Sequence, residues 1–144
     1  MNGDVLSETR ISFSISRGQQ ASMAKLILVV DDDESILEVV QIVLESEGYT
    51  VQTAMNSDFV QQLPTQVPLP DLILLDVLLS GEDGREISRQ LKGNAQLQHI
   101  PVIMLSAHSD ASKNAHTGSA DAFLEKPFDV DVLLDTVQQH LATH

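Results

Sequence analysis

Three consecutive aspartates, Asp31, Asp32 and Asp33, follow the apolar run LILVV, and a fourth, Asp76, closes the run LILL. Ser106 closes VIML, and Lys126 comes two residues after AFL. Carboxylates gathered in one place repel one another, and they stay ionised together when a hard cation with oxygen ligands, such as Mg²⁺, lies between them. With an ammonium and a hydroxyl added, such a set could clamp the equatorial oxygens of a transferring phosphoryl group, one carboxylate serving as the in-line nucleophile. Asp76 is the candidate nucleophile. It sits inside LILLDVLL, where an unpaired carboxylate among buried strand residues would be costly.

These groups act together only if the elements before them end at one rim. From Lys25 onward, short solid-apolar runs alternate with amphipathic stretches, the signature of βα units whose strands are covered on both faces. Runs at Leu26–Val30, 72–75, 102–105 and 122–124, and a weaker one at Thr50–Ala54, predict five strands. Ile36, Val39, Val40, Val43 and Leu44 recur at helical spacing, with Gly48 suited to the C-terminal cap. A short helix is expected over 58–63, ended by Pro64, and another over Gly84–Lys92 with Ile87 and Leu91 inward. The last is expected over 130–141, capped by Asp129, with Val130, Leu133, Leu134, Val137 and Leu141 on one face. The alternation asks for a further helix within 108–119, but its Ser, Asn, Thr and Gly make that helix short. Ligands of an open parallel sheet bind at the carboxyl ends of the strands, which is where Asp31, Asp32, Asp76, Ser106 and Lys126 would stand.

Composition narrows the chemistry. A chain of 144 residues suits one domain, and its 42% hydrophobic and 20% charged residues are a globular balance. Without cysteine there are no disulfides, thiolate metal sites or cysteine nucleophiles. Eight Lys and Arg against 21 Asp and Glu give −13, a field expected to repel nucleic acid and anionic membranes. No apolar run approaches a membrane span, and no secretion signal opens the chain, so a cytoplasmic location is expected. Residues 1–24 carry no net charge and are Ser-, Gln- and Gly-rich. They read as an extension, disordered or forming a short strand at Ile11, Phe13 and Ile15, before a domain over 25–144.

Four stretches in order, KLILVVDDDES, PDLILLDVLLSGEDGREI, IPVIMLSAH and ADAFLEKPF, resemble the receiver domain of bacterial two-component response regulators. The resemblance covers all but the leader. It implies a flavodoxin-like, doubly wound α/β fold: a five-stranded parallel sheet of order 2-1-3-4-5 with about five helices. Function follows by the same resemblance: Asp76 accepts a phosphoryl group from a histidine kinase or histidine phosphotransfer protein. Asp31 and Asp32 then hold Mg²⁺, Asp32 directly and Asp31 through water, with Asp76 and the Leu78 carbonyl as further ligands. Lys126 and the Ala107 amide contact the phosphoryl oxygens, Ser106 moves to hydrogen-bond one of them, and Phe123 is the aromatic switch that turns inward behind it. The Lys126–Pro127 peptide is expected to be cis. The implied protein is a regulator, not an enzyme in the usual sense, since it catalyses only its own phosphorylation and dephosphorylation. Because the chain stops after the last helix, it reads as a single-domain type, monomeric or weakly dimeric, signalling to a downstream protein.

Plainer roles exist for each residue. Asp31 to Glu34 before an amphipathic run also suit a helix cap, Ser106 an ordinary strand end, Lys126 a surface charge, and Phe123 and Phe128 the core. One rival is a haloacid-dehalogenase-like phosphatase, which also uses a strand-end Asp and Mg²⁺ but wants a second acid where Leu78 stands. Another is a receiver-like module that works without phosphorylation. Departures from the family pattern favour the latter: Ser80 replaces a usual proline, which is expected to loosen the loop to Gly81, Ser119 replaces a usual glycine, and the Ser106-to-Lys126 segment is short. His108, two residues after Ser106, is a candidate for tuning dephosphorylation; His99, His116, His140 and His144 lack ligand spacing and read as surface.

Overall fold

A computed structural model describes residues 24–107 and 120–142. Residues 1–23 of the leader and the segment 108–119, with the helix expected there and with His108, His116 and Ser119, lie outside the described residues, as does His144. Among the described residues there are seven strands: β1 Leu26–Val30, β2 Thr50–Ala54, β3 Leu72–Asp76, β4 Leu78–Leu79, β5 Glu82–Asp83, β6 Val102–Ala107 and β7 Ala122–Lys126. Four α-helices accompany them: α1 Glu34–Ser46, α2 Phe59–Gln62, α3 Gly84–Lys92 and α4 Val130–Ala142.

Five strands form one parallel sheet in the order β2-β1-β3-β6-β7. Counted without the small hairpin β4–β5, this is the expected doubly wound order 2-1-3-4-5. The hairpin itself was not anticipated, because two residues per strand leave no alternation to read. Strands β3, β6 and β7 run on to Asp76, Ala107 and Lys126, beyond the ends read from apolarity alone. Ladder pairing continues past the last apolar residue, so the polar residues of the rim are the closing residues of the strands themselves.

Alternation along the buried strands divides the core between two faces. Ile27, Val29, Leu72, Leu74, Ile103 and Leu105 meet Leu37, Val40 and Leu44 of α1 and Leu133 and Val137 of α4. Leu28, Val30, Ile73, Leu75 and Met104 face the side of Phe59, Ile87 and Leu91. Two helix faces differ from expectation. In α1 the buried stripe is Leu37, Val40 and Leu44, while Val39 is 56% exposed; the face is turned toward Leu37. In α4, Val130, the first residue of the helix, is 47% exposed, and Leu133 and Val137 are the buried positions. Gly48 lies just past the α1 cap residue Glu47 with φ +92°, the left-handed conformation that ends helices. α2 stops at Gln62 with Leu63 as its cap, directly before Pro64 as expected, and Pro64 itself lies in the first turn of a 3₁₀ segment, Leu63–Thr65, where a missing N–H costs nothing.

The lower end of the sheet is held by two aspartates. Asp71 Oδ2 accepts the Leu26 amide at 2.8 Å, joining the starts of β3 and β1. Asp121 Oδ2 accepts the Val102 amide at 2.7 Å and the Lys92 ammonium at 2.7 Å, joining β7, β6 and the end of α3. Lys92 also donates to the Ile100 carbonyl at 2.8 Å. Register then carries upward: Val30 is opposite Leu75, Asp76 opposite Leu105 and Ala107 opposite Lys126.

Candidate functional site

At the upper rim the three consecutive aspartates take different tasks. Asp33 is the N-cap of α1 and accepts the Ser35 amide at 2.9 Å, so for this residue the plain capping role holds. Asp31 is fully buried; Oδ1 accepts the Asp33 amide at 2.9 Å and Oδ2 accepts the Lys126 ammonium at 2.9 Å. Asp32 is half-buried, and its Oδ2 accepts both the Ser80 amide at 2.9 Å and the Ser80 hydroxyl at 2.6 Å. Asp76 is 7% exposed, accepts the Leu78 amide at 3.2 Å and lies 3.5 Å from the Lys126 ammonium. One carboxylate oxygen from each of Asp31, Asp32 and Asp76 lies within 4.8 Å of the others.

The electrostatics follow from this crowding. Burial, aided by the Asp31 charge, pushes the Asp76 carboxyl up to about 6, against the opposing pull of the Leu78 amide and Lys126. Burial alone would lower Lys126, but the hydrogen bond to Asp31 and the charges of Asp31 and Asp76 outweigh it and raise the ammonium above its ordinary value. Asp32 is held below the usual carboxylate range by the Ser80 hydroxyl and amide. One ammonium thus faces two buried carboxylates with a third beside them. All-oxygen donors, two of them buried and under-neutralised, suit a hard divalent cation such as Mg²⁺.

The remaining expected residues are distributed around this trio. Ser106, the penultimate residue of β6 at the rim, is 1% exposed, and its hydroxyl has no hydrogen-bond partner among the described residues. Ala107 follows it and is exposed, opposite Lys126. Phe123 is half-buried against the core on the α3 side, opposite Met104. Leu78 is 67% exposed beside the trio, its amide on Asp76. The Lys126–Pro127 peptide is cis, as is Val67–Pro68. His140 is half-buried rather than fully at the surface, its Nδ1 2.9 Å from the Thr136 carbonyl.

Sequence reasoning missed three features. The hairpin reaches back over the site: Ser80 binds Asp32, and Glu82 accepts the amide of Ser57 at 3.1 Å and its hydroxyl. The loop is therefore tied, not loosened, by the serine that replaces proline. Gly84 is the second: an added Cβ would stand 2.2 Å from the Asp76 carbonyl oxygen, so α3 can begin this close to β3 only with glycine. The Asp-Gly pair at a helix start was the available signal. Third are Asp71 and Asp121, visible only as acids directly before apolar runs.

Residues 27–138 match the family model described as the response regulator receiver domain. The chain belongs to that family. Among curated relatives, this receiver domain is 39% identical over 114 residues to the DNA-binding dual master transcriptional regulator RpaA of Synechocystis, covering 78% of this chain and 47% of that protein. The receiver thus spans about half the length of that relative. A solved structure of a response regulator from Chloroflexus aurantiacus superposes with a TM-score of 0.77 at 31% identity, covering 83% of this chain and 99% of that one. The receiver domain of a sensor histidine kinase from Pseudomonas aeruginosa, solved with a magnesium ion coordinated in its active-site cleft, gives 0.74 at 25% identity over 83% and 99%. Receiver domains of this family are regulatory modules of two-component systems, phosphorylated by histidine kinases. The expectation that nucleic acid plays no part is not supported, since RpaA is a DNA-binding regulator. No helix among the described residues is long and apolar enough to cross a membrane.

Proposed function

We propose that this receiver domain is a Mg²⁺-dependent phosphoacceptor that takes a phosphoryl group onto Asp76 from a histidine kinase or histidine phosphotransfer protein. The observation that carries the reading is the Asp76 carboxylate, buried within reach of two further acids and one ammonium. Asp31, Asp32 and Asp76, with the Leu78 carbonyl, would hold the ion, which supplies neutralising charge to carboxylates and phosphoryl oxygens alike. An Asp76 oxygen attacks phosphorus, the bond from phosphorus to the histidine nitrogen breaks, and an acyl phosphate forms while the imidazole departs. Lys126, already an ammonium between Asp31 and Asp76, offsets the charge on the transferred group. The unpartnered Ser106 hydroxyl gains an acceptor when that group arrives. Its movement leaves room that the half-buried Phe123 ring fills, and the altered surface is what a downstream protein reads.

Incubation of the chain with Mg²⁺ and acetyl phosphate tests this by intact mass. A single phosphoryl adduct, absent from Asp76→Asn, is expected; an equal adduct on both proteins would refute Asp76 as acceptor. The phosphatase reading finds no support in the site, because the position two residues after Asp76 offers the exposed aliphatic side chain of Leu78 and no second acid.

A further inference from the structure

Ser80 stands where the family usually carries proline, and it is the residue that fixes Asp32. Asp31 is fully buried and ion-paired, and Asp76 is buried in its strand; Asp32 is the member of the trio nearest solvent. A half-exposed carboxylate rotates freely unless something holds it, and ordering it on cation binding costs free energy. Ser80 supplies two donors to one oxygen, the amide at 2.9 Å and the hydroxyl at 2.6 Å. With Oδ2 occupied in this way, Oδ1 is left to a cation. Proline has neither an amide hydrogen nor a hydroxyl, so the usual residue could make neither bond.

The donors are themselves braced. Glu82, two residues on, is anchored to Ser57 in the loop after β2. Gly84 donates to the Val77 carbonyl at 2.6 Å, and Leu78 donates to Asp76. The hairpin carrying Ser80 is thus held to the strands on either side of Asp32. Hydrogen-bonding partners of ligating carboxylates orient them, and their loss typically lowers metal affinity by about 10- to 100-fold.

We infer that Ser80 is a positioning residue for the cation site: it orients Asp32 for Mg²⁺, a role that the proline usual at this place cannot fill. The inference rests on the Mg²⁺ reading above and adds to it a residue that orients one of the ligands.

Calorimetric Mg²⁺ titrations of the full chain at neutral pH, without any phosphodonor, test it. Ser80→Pro is expected to weaken binding about tenfold or more and Ser80→Ala by a few-fold, while Ser80→Thr, which keeps both donors, stays near the wild-type value. In an Asp32→Ala background the Ser80→Ala change is expected to have no further effect on Mg²⁺ affinity. Should Ser80→Pro fail to fold, the Ala and Thr variants decide. Ala and Pro variants that bind as tightly as wild type, or more tightly, overturn the inference, as does a fall in metal-free melting temperature with unchanged affinity. Wild-type protein that shows no saturable binding overturns the Mg²⁺ reading, and this inference with it.

Discussion

At the lower end of the sheet Asp71 and Asp121 stand just before β3 and β7; at the upper end Asp31 follows β1 and Asp76 closes β3. The residue type is the same and the strands largely are too, yet the physics is opposite. Each lower carboxylate accepts the first amide of a neighbouring strand, and Asp121 also holds Lys92. The upper carboxylates are buried beside one another and share a single ammonium. The lower pair is a finished structural joint, while the upper one carries excess negative charge that a proton on Asp76 or a bound cation can relieve. What marks the candidate site is therefore charge left without a partner, not the presence of acids.

The strongest way to break this contrast is Asp76→Asn. Phosphoryl adduct formation is expected to disappear entirely, while the metal-free protein becomes more stable. The direction follows from the raised carboxyl: it titrates near 6 in the folded chain against 3.8 unfolded, so the folded state holds that proton more tightly. The stability it contributes is fully present below about pH 4 and lost as pH rises through about 6. The asparagine variant escapes that loss and should gain about 2 kcal/mol above pH 6 and nothing near pH 4. Urea unfolding at both pH values in the presence of a chelator measures it; equal gains at both would show that repulsion at the rim is not the cause.

The lower end should respond in the opposite sense. Asp121→Ala removes the acceptor of the Val102 amide and leaves the half-buried Lys92 ammonium with carbonyl acceptors only, with an expected loss of about 2–3 kcal/mol. Asp71→Ala exposes one strand amide to the same fate and should lose about 1–2 kcal/mol. Neither loss should depend on Mg²⁺. Denaturant titration with and without the ion checks both, and a destabilisation that Mg²⁺ rescues would contradict the division between the two ends.

That division also shows what could be read from the chain beforehand. The five parallel strands and the meeting of Asp31, Asp32, Asp76 and Lys126 were legible because solid-apolar runs end abruptly in polar residues, and open parallel sheets gather such ends; the order of the strands came from the family resemblance alone. Other features were not. The α1 face was read one step off because Ile36, Val39 and Val43 fit a helical stripe as well as Leu37 does, and only packing against the sheet chooses between them. Asp71 and Asp121 look like Asp76 in type and setting; their ladder partners lie 45 and 19 residues away in the chain. Ser80 was taken to loosen its loop, since a missing proline is visible locally whereas a hydrogen bond to Asp32, 48 residues distant, is not.

The subtlest expected effect sharpens the contrast at the rim alone. If the excess charge is what a cation relieves, Mg²⁺ and the proton on Asp76 compete for the same carboxylate. Below about pH 6 the carboxyl is protonated, so binding must displace that proton and apparent affinity must fall as pH falls. From about pH 7 to about pH 5 the expected weakening is about tenfold, with little change above pH 7. Asp32 adds no slope in that interval, because Ser80 holds its carboxyl low. Mg²⁺ titrations by calorimetry in buffers of different ionisation heat would report the released proton directly. An affinity that is flat across this range would mean Asp76 is already ionised there without the metal, and the crowding at the rim would then be neutralised by Lys126 alone.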